Sequence, residues 1–99
     1  MILTTTNSIE GYKIIDYLGI VTGVAINKET LAMGFSVSKY YSKIQSSIET
    51  IKEEAFQNLQ DNASKLKANA VVGIKVEVEF TTSNYPIVSV TGTAVKVAV

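Results

Sequence analysis

The chain has 99 residues and equal numbers of basic and acidic side chains, so it fits one domain spanning residues 1–99 and carries no net charge to attract nucleic acid. Hydrophobic residues make up 46% and charged residues 18%, which indicates a folded domain rather than a disordered one. Cys, His, Trp and Arg are absent, which excludes disulfides, thiolate or imidazole metal ligands, and bidentate arginine contacts to phosphate or guanine.

Targeting and membrane signals are also missing from the sequence. The start of the chain, Met1–Thr6, has no basic segment followed by a sustained apolar core, as a signal peptide would. The longest apolar stretch, Leu18–Ile26, contains Gly and Thr and is too short to cross a bilayer as a helix. We therefore expect a cytoplasmic protein that contacts neither membrane nor nucleic acid.

The N-terminal quarter predicts extended structure. A short strand at Ile2–Thr5 is followed by turn-forming residues over Asn7–Gly11. A long strand over Tyr12–Ile26 is apolar at both odd and even positions, which is typical of a strand covered on both faces. Gly19 and Gly23 inside it indicate a bulge, a bend or the close approach of another backbone.

A long amphipathic helix is predicted after a connector at Asn27–Ser38. Apolar residues recur at spacings of three and four, which places one apolar stripe along a helix from about Ser38 to Lys67. The stripe consists of Tyr41, Ile44, Ile48, Ile51, Ala55, Leu59, Ala63 and Leu66. At 1.5 Å per residue the helix is about 45 Å long.

Two strands complete the chain. The first runs from Val72 to Phe80, with apolar side chains at even positions on one face and polar side chains on the other. A turn at Thr82–Pro86 leads into a second strand, Ile87–Val99. The apolar positions of this strand change from even to odd across Gly92, which predicts a β-bulge there.

These elements predict an α+β fold, a two-layer β-α-β-β subunit. One long helix packs on an antiparallel sheet of about three strands, with a short N-terminal strand in addition. The helix covers one face only, so part of the long first strand and the apolar end Val95–Val99 would face water. We therefore predict a homo-oligomer that forms partly by strand addition. The alternative is that the N-terminal strand and the connector cover these positions within one subunit.

Four segments, Thr4–Gly11, Tyr17–Gly23, Ala68–Ile74 and Val90–Val95, together resemble the YbjQ family in order and spacing. These are small, uncharacterised bacterial proteins that carry the label "putative heavy-metal-binding". The resemblance implies a β-α-β-β subunit that assembles into a ring, commonly a pentamer. It marks as family-pattern positions Glu10, Gly11, Tyr17, Gly19, Gly23, Asn69, Gly73 and Gly92.

One departure from the family pattern concerns the end of the helix. Lys67 stands where the family usually has Gly, and Lys adopts the left-handed helix-ending conformation poorly. We therefore expect the helix to end in another way, with Asn69 in the left-handed conformation.

The sequence offers only a restricted set of ligands for the heavy metal that the family label suggests. Carboxylates, amides, hydroxyls and carbonyls remain, and these suit Ca²⁺, Mg²⁺ or Mn²⁺ rather than soft ions. Glu77 and Glu79 point to one side of their strand, where a carboxylate of a neighbouring subunit would complete a site. The alternative is a solvated strand face with Lys75 nearby.

Glu10 and Asn69 are the preferred candidates for binding a small ligand, together with Tyr17 and Thr6. The alternatives are local: Glu10 caps amides of the Asn7–Gly11 turn, and Asn69 ends the helix. Three functions stay open: a ring-forming scaffold or small-ligand binding module, a metal-binding protein that uses oxygen ligands, and a small enzyme with a site between subunits. The sequence nominates no catalytic residue and no cofactor.

Overall fold

The computed structural model describes residues 1–27, 37–82 and 85–99, with the side chains of the helix described from Ser47 onward. Most of the predicted connector and part of the predicted Thr82–Pro86 turn lie outside these residues. The elements in chain order are β1 (Ile2–Leu3), β2 (Lys13–Ile26), α1 (Val37–Lys65), β3 (Ala70–Phe80) and β4 (Pro86–Ala98). The predicted α+β fold is confirmed, with element ends that differ from the prediction by at most two residues.

The strands form one sheet in the order β1-β3-β4-β2. β4 pairs antiparallel with both β3 and β2, and β1 pairs parallel with β3. α1 lies on one side of the sheet, mainly against β2 and β4. We call the side that α1 covers the helix face and the other side the open face.

The predicted apolar stripe of α1 forms the main core. Ile51, Ala55, Leu59 and Ala63 are buried against the helix face. Their partners in the sheet are Val21, Ala25, Val71, Ile74, Val88, Val90 and Ala94. Leu66, predicted as the last member of the stripe, is instead 41% exposed because α1 ends one residue earlier. Tyr41 and Ile44 fall among the side chains that the structure does not describe.

Gly23 brings the helix close to β2. A Cβ atom at Gly23 would overlap the carbonyl oxygen of Ala55 and lie 2.5 Å from the backbone nitrogen of Leu59. Close backbone approach was one of the predicted roles for this glycine. The other predicted role, a bulge, is found nearby, since the β2–β4 register shifts between Tyr17 and Gly19.

The prediction of a bulge at Gly92 is wrong. The extra residue lies in β3, opposite Gly92. Val72 pairs with Thr93 and Lys75 pairs with Thr91, so β3 contains one residue more than β4 over this interval. Gly73 sits in the bulge with φ of 63°, a left-handed conformation that glycine adopts without strain.

The bulge changes which face the side chains of β3 occupy. Before it, Val72 belongs to a cluster on the open face, whereas Ile74 after it belongs to the core on the helix face. The prediction that both share one face is therefore wrong. Gly92 is needed for a different reason, because a Cβ there would lie 2.6 Å from Cγ1 of Val71 and 3.0 Å from Cγ1 of Ile74.

The N-terminal segment covers part of the open face. Val95 and Val97 are 0% and 6% exposed and pack with Ile2, Ile9 and Ile14. The prediction that this end of the chain faces water is thus wrong for Val95 and Val97. Residues 4–12 must cross the sheet, because β1 lies at one edge and β2 at the other. For this half of the sheet, the alternative prediction is correct: the N-terminal segment of the same subunit covers the apolar side chains.

Just after the end of α1, Lys67 adopts the left-handed conformation that was predicted for Asn69 instead. The φ of Lys67 is 63°. The backbone N–H of Ala68 donates to the carbonyl of Ala63 at 3.1 Å, and that of Lys67 donates to Ser64 at 2.9 Å. This pair of hydrogen bonds is the Schellman motif, in which glycine usually occupies the position of Lys67. Asn69 is not the left-handed residue.

Candidate functional site

Two of the four predicted ligand-binding residues lie together. Thr6 and Glu10 line an open cleft of about 540 Å³ on the N-terminal segment. The cleft is completed by Ile2, Thr4, Ser8 and Ile9. Glu10 is exposed within the turn that ends at Gly11. Asn69 and Tyr17 are not among the lining residues.

The β3 bulge holds the backbone of this cleft in place. The N–H of Gly73 donates to the carbonyl of Thr6 at 2.8 Å, and the N–H of Ile74 donates to that of Thr4 at 3.1 Å. In return, the N–H of Thr4 donates to Val71 at 3.0 Å. The hydrogen-bonded N-terminal segment therefore extends beyond the two residues of β1.

The side-chain hydroxyls of the cleft form a short network. The hydroxyls of Thr4 and Thr6 are 2.7 Å apart, and the Thr6 hydroxyl donates to the carbonyl of Ser8 at 2.6 Å. The N–H of Thr6 donates to the Thr4 hydroxyl at 3.1 Å. The predicted ligand-binding residues include Thr6 but not Thr4 or Ser8. The run of hydroxyl residues before Glu10 was the available signal, but its spacing fits a strand edge followed by a turn equally well.

Asn69 has a structural partner. Its side-chain Nδ2 donates to the carbonyl of Val97 at 2.9 Å, and its Oδ1 accepts from the N–H of Val97 at 2.8 Å. The backbone N–H of Asn69 also donates to Val95 at 3.1 Å. The amide thus fixes the start of β3 against β4, a local role that differs from the predicted helix termination.

Tyr17 lies apart from the cleft. It is 70% exposed on β2 and pairs with Val95 on β4. β2 and β1 occupy opposite edges of the sheet. Tyr17 does not line the cleft that contains Thr6 and Glu10.

Glu77 and Glu79 are exposed on the open face of β3, as the alternation of this strand predicted. Lys75 precedes them in the same row and is also exposed. Across residues 1–27, 37–82 and 85–99, no group of three or more acidic side chains is placed to hold a metal ion. A cation bound by these two glutamates would need further oxygen ligands, because Ca²⁺ takes six to eight.

A second cleft of about 440 Å³ lies between α1 and the outer edge of β2, and its polar groups serve the fold. Asn62 Nδ2 donates to the carbonyl of Thr22 at 2.8 Å, and Asn58 Nδ2 donates to that of Val24 at 3.0 Å. These bonds occupy carbonyls that an edge strand would otherwise offer to a neighbour. Sequence reasoning missed this pair, although two Asn residues four positions apart on one helix were a visible signal.

Two rows of apolar side chains remain exposed. The β2 row consists of Ile20, Val24 and Ile26, which are 78%, 51% and 38% exposed on the open face. The β3 row consists of Val76, Val78 and Phe80, which are 41%, 43% and 52% exposed. The β3 row is on the helix face, because Val76 and Val78 pair with the buried Val90 and Val88. Opposite faces of one sheet thus each present an apolar row.

Comparison with known proteins identifies the family. A family model described as "Putative heavy-metal-binding" matches residues 1–98. The chain belongs to the YbjQ family. A UPF0145 protein of Clostridium kluyveri is 38% identical over 108 residues, which cover 98% of this chain and 99% of that protein. A UPF0145 protein of Bacillus thuringiensis subsp. konkukian is 34% identical over 107 residues, 98% of this chain and 100% of the relative.

A solved structure shares the fold. It is a protein of unknown function of the DUF74 family from Pediococcus pentosaceus, with a TM-score of 0.72 and 22% identity. The match covers 99% of this chain and 98% of that one. Within the described residues of the YbjQ-family chain, no helix has the length and apolar character needed to span a bilayer.

Proposed function

We propose that this YbjQ-family protein assembles with copies of itself into a closed ring, and that the ring serves as a scaffold or small-ligand binding module without catalysis. The observation that carries the proposal is the pair of exposed apolar rows, the β2 row and the β3 row. Contiguous exposed apolar surface on a soluble protein usually marks an interface. Copies of the chain supply matching apolar surface to each other.

The placement of the rows favours a ring over a symmetric dimer. The β2 row lies on the open face and the β3 row on the helix face. If the β2 row of one copy packs on the β3 row of the next, each contact joins two different surfaces. Such a head-to-tail contact generates a ring when the rotation closes. A pentamer, which the family resemblance implies, is compatible with this geometry.

The edges of the sheet also direct the contact. In the described part of the chain, β1 pairs with β3 only at Ala70 and Val71, and the outer edge of β3 from Lys75 to Phe80 has no strand partner. The β2 edge is different, because Asn58 and Asn62 hold two of its carbonyls. The β3 edge is therefore the more accessible of the two edges to a second copy.

Two charge-introducing variants test the proposal. Ile20→Asp places a carboxylate in the β2 row, and Val78→Asp places one in the β3 row. Size-exclusion chromatography with light scattering is expected to show a ring for the parent protein and smaller species for either variant. A matched control, Lys52→Glu on the exposed surface of α1, is expected to leave the ring intact.

Mixing the two variants tests the head-to-tail geometry. Each variant keeps one intact row, so that the mixture restores one contact between unlike chains. A species of twice the mass of one chain is expected from the mixture and from neither variant alone. A wild-type protein that stays a single chain at high concentration would contradict the ring, and a ring unaffected by both substitutions would contradict these rows as its contacts.

The family description favours metal binding as a second candidate. The chain contains no Cys and no His, so only oxygen ligands are offered and hard cations fit better than heavy metals. Glu77 and Glu79 would supply two carboxylates, with further ligands from a neighbouring copy. Titration calorimetry of the assembled protein with Ca²⁺, Mn²⁺, Zn²⁺ and Cu²⁺ tests this candidate. Heat that disappears in Glu77→Gln supports it, and no heat with any of the four ions removes it.

A further inference from the structure

The cleft on the N-terminal segment offers a defined set of hydrogen-bonding groups. Its lining combines the apolar side chains of Ile2 and Ile9 with hydroxyls and the carboxylate of Glu10. None of the six residues that line it carries a basic side chain. Glu10 is the one charged side chain among these lining residues.

The hydroxyl protons in the cleft can be assigned from the hydrogen bonds. A hydroxyl has one proton to donate and two lone pairs to accept with. The Thr6 hydroxyl uses its proton on the carbonyl of Ser8. The bond between the Thr4 and Thr6 hydroxyls must therefore be donated by Thr4. The Thr4 hydroxyl in turn accepts from the backbone N–H of Thr6.

With these donors assigned, the hydroxyls of Thr4 and Thr6 can only accept hydrogen bonds from a ligand. Both protons are committed, and each oxygen keeps one lone pair for a ligand. Glu10 adds a carboxylate that only accepts when ionised. Ser8 supplies a hydroxyl that can rotate to donate or accept. The cleft therefore favours a ligand that brings N–H or O–H donors and a positive charge.

We propose that the cleft binds a small organic ammonium ion with a short apolar chain. A primary ammonium group carries three N–H donors, one for each of the three acceptor groups, the Glu10 carboxylate and the hydroxyls of Thr4 and Thr6. Ile2 and Ile9 contact the carbon chain. A hard metal ion is the poorer match, because Ca²⁺ takes six to eight oxygen ligands and Glu10 is the one carboxylate of the lining. The proposal specifies the ligand class of the small-ligand binding module proposed above and does not depend on the ring.

Titration with n-butylammonium tests the site, followed by the backbone amide resonances of the isotope-labelled protein. Saturable shifts are expected at Thr4, Thr6, Ser8 and Glu10. Butyrate, which has the opposite charge, is expected to give no saturable shift there. Butyltrimethylammonium keeps the charge but lacks N–H donors, so that its affinity is expected to be about tenfold lower.

Variants separate the site from a general charge effect. Glu10→Gln is expected to weaken n-butylammonium binding by about tenfold, because a charge-assisted hydrogen bond is lost. Thr6→Val removes one acceptor and is expected to weaken binding, while the carbonyl that pairs with Gly73 remains. Glu53→Gln removes the same charge from the exposed surface of α1 and is expected to leave binding unchanged.

Several outcomes would overturn the ammonium site. These are equal binding by Glu10→Gln, equal binding of butyrate, or shifts at the same amides that Ca²⁺ produces at lower concentration than n-butylammonium. The translational diffusion coefficient, measured on the same samples, reports the assembly state. A ring that does not bind n-butylammonium contradicts the site alone, and a single chain that binds it contradicts the ring alone.

Discussion

Asn69 and Val97 are joined by two reciprocal hydrogen bonds, of 2.9 and 2.8 Å, between a side-chain amide and a backbone. The Asn69 side chain therefore makes the pair of bonds that a strand residue makes with its neighbour. It does so where α1 has just ended and β3 begins. The bonds extend the β3–β4 ladder into the joint between helix and strand.

Replacing Asn69 by Ala is expected to lower the free energy of unfolding by about 1–3 kcal/mol, because the N–H and C=O of Val97 lose their partners. Asn69→Asp keeps an acceptor for the N–H but opposes the C=O with a second acceptor, and it is expected to destabilise as well. Urea denaturation followed by circular dichroism measures both. Unchanged stability in Asn69→Ala would show that this amide has no structural role and would restore it as a ligand candidate.

Lys67→Gly is expected to stabilise the protein. Lys67 has φ of 63° in the Schellman motif, a conformation that costs a residue with a Cβ roughly 1–2 kcal/mol. Glycine removes that cost at the price of greater freedom in the unfolded chain, so that a net gain of about 0.5–1 kcal/mol is expected. Lys67→Ala is the control, since it keeps the Cβ and is expected to change little. The midpoint of urea unfolding compares the three proteins.

Gly92→Ala and Gly23→Ala are expected to differ in whether a second substitution rescues them. The methyl group added at Gly92 meets the side chain of Val71, whereas the one added at Gly23 meets backbone atoms of α1. Each single variant is expected to lose about 1–3 kcal/mol of stability through overpacking. In a double-mutant cycle, Val71→Ala is expected to recover part of the loss for Gly92→Ala. No coupling in that cycle would contradict the described contact.

The Asn58 and Asn62 pair is expected to protect the β2 edge from other chains. Asn58→Ala and Asn62→Ala each remove one hydrogen bond, at a cost of about 0.5–1.5 kcal/mol. The double variant also exposes the carbonyls of Thr22 and Val24, so that faster aggregation than in the parent protein is expected. Light scattering of heated samples measures this rate. Gly92→Ala, which lowers stability but keeps both carbonyl contacts, controls for the loss of stability.

The order of the helix and strands was predictable because the apolar residues recur at regular spacings, three to four in the helix and two in the strands. The spacing from Ile51 to Ala63 gave the buried stripe of the helix, and the resemblance gave the family. The change of the apolar positions in β4 from even to odd was also visible in the sequence, but it was wrongly assigned to a β-bulge at Gly92. The apolar residues Val88 and Val95 lie on opposite faces of a regular strand, and each face is buried by a different element. A single strand does not reveal what covers it.

The candidate site was predictable only in part. Thr6 and Glu10 lie in one cleft, but Asn69 is used by Val97 and Tyr17 lies on a strand at the other edge. These placements depend on how the chain crosses the sheet, which no local pattern encodes. The ending at Lys67 was mispredicted for a related reason. Local preference disfavours the left-handed conformation for Lys, but the joint between α1 and β3 imposes it.

Native mass spectrometry of the protein purified from its own cells tests the central claim, self-assembly into a ring, most directly. A single assembly is expected whose mass is a whole multiple of the 10.7 kDa chain, with five copies as the number that the family resemblance implies. The same spectrum reports any retained small cation as an added mass that is lost on activation. A chain that remains single at every concentration measured would contradict the account.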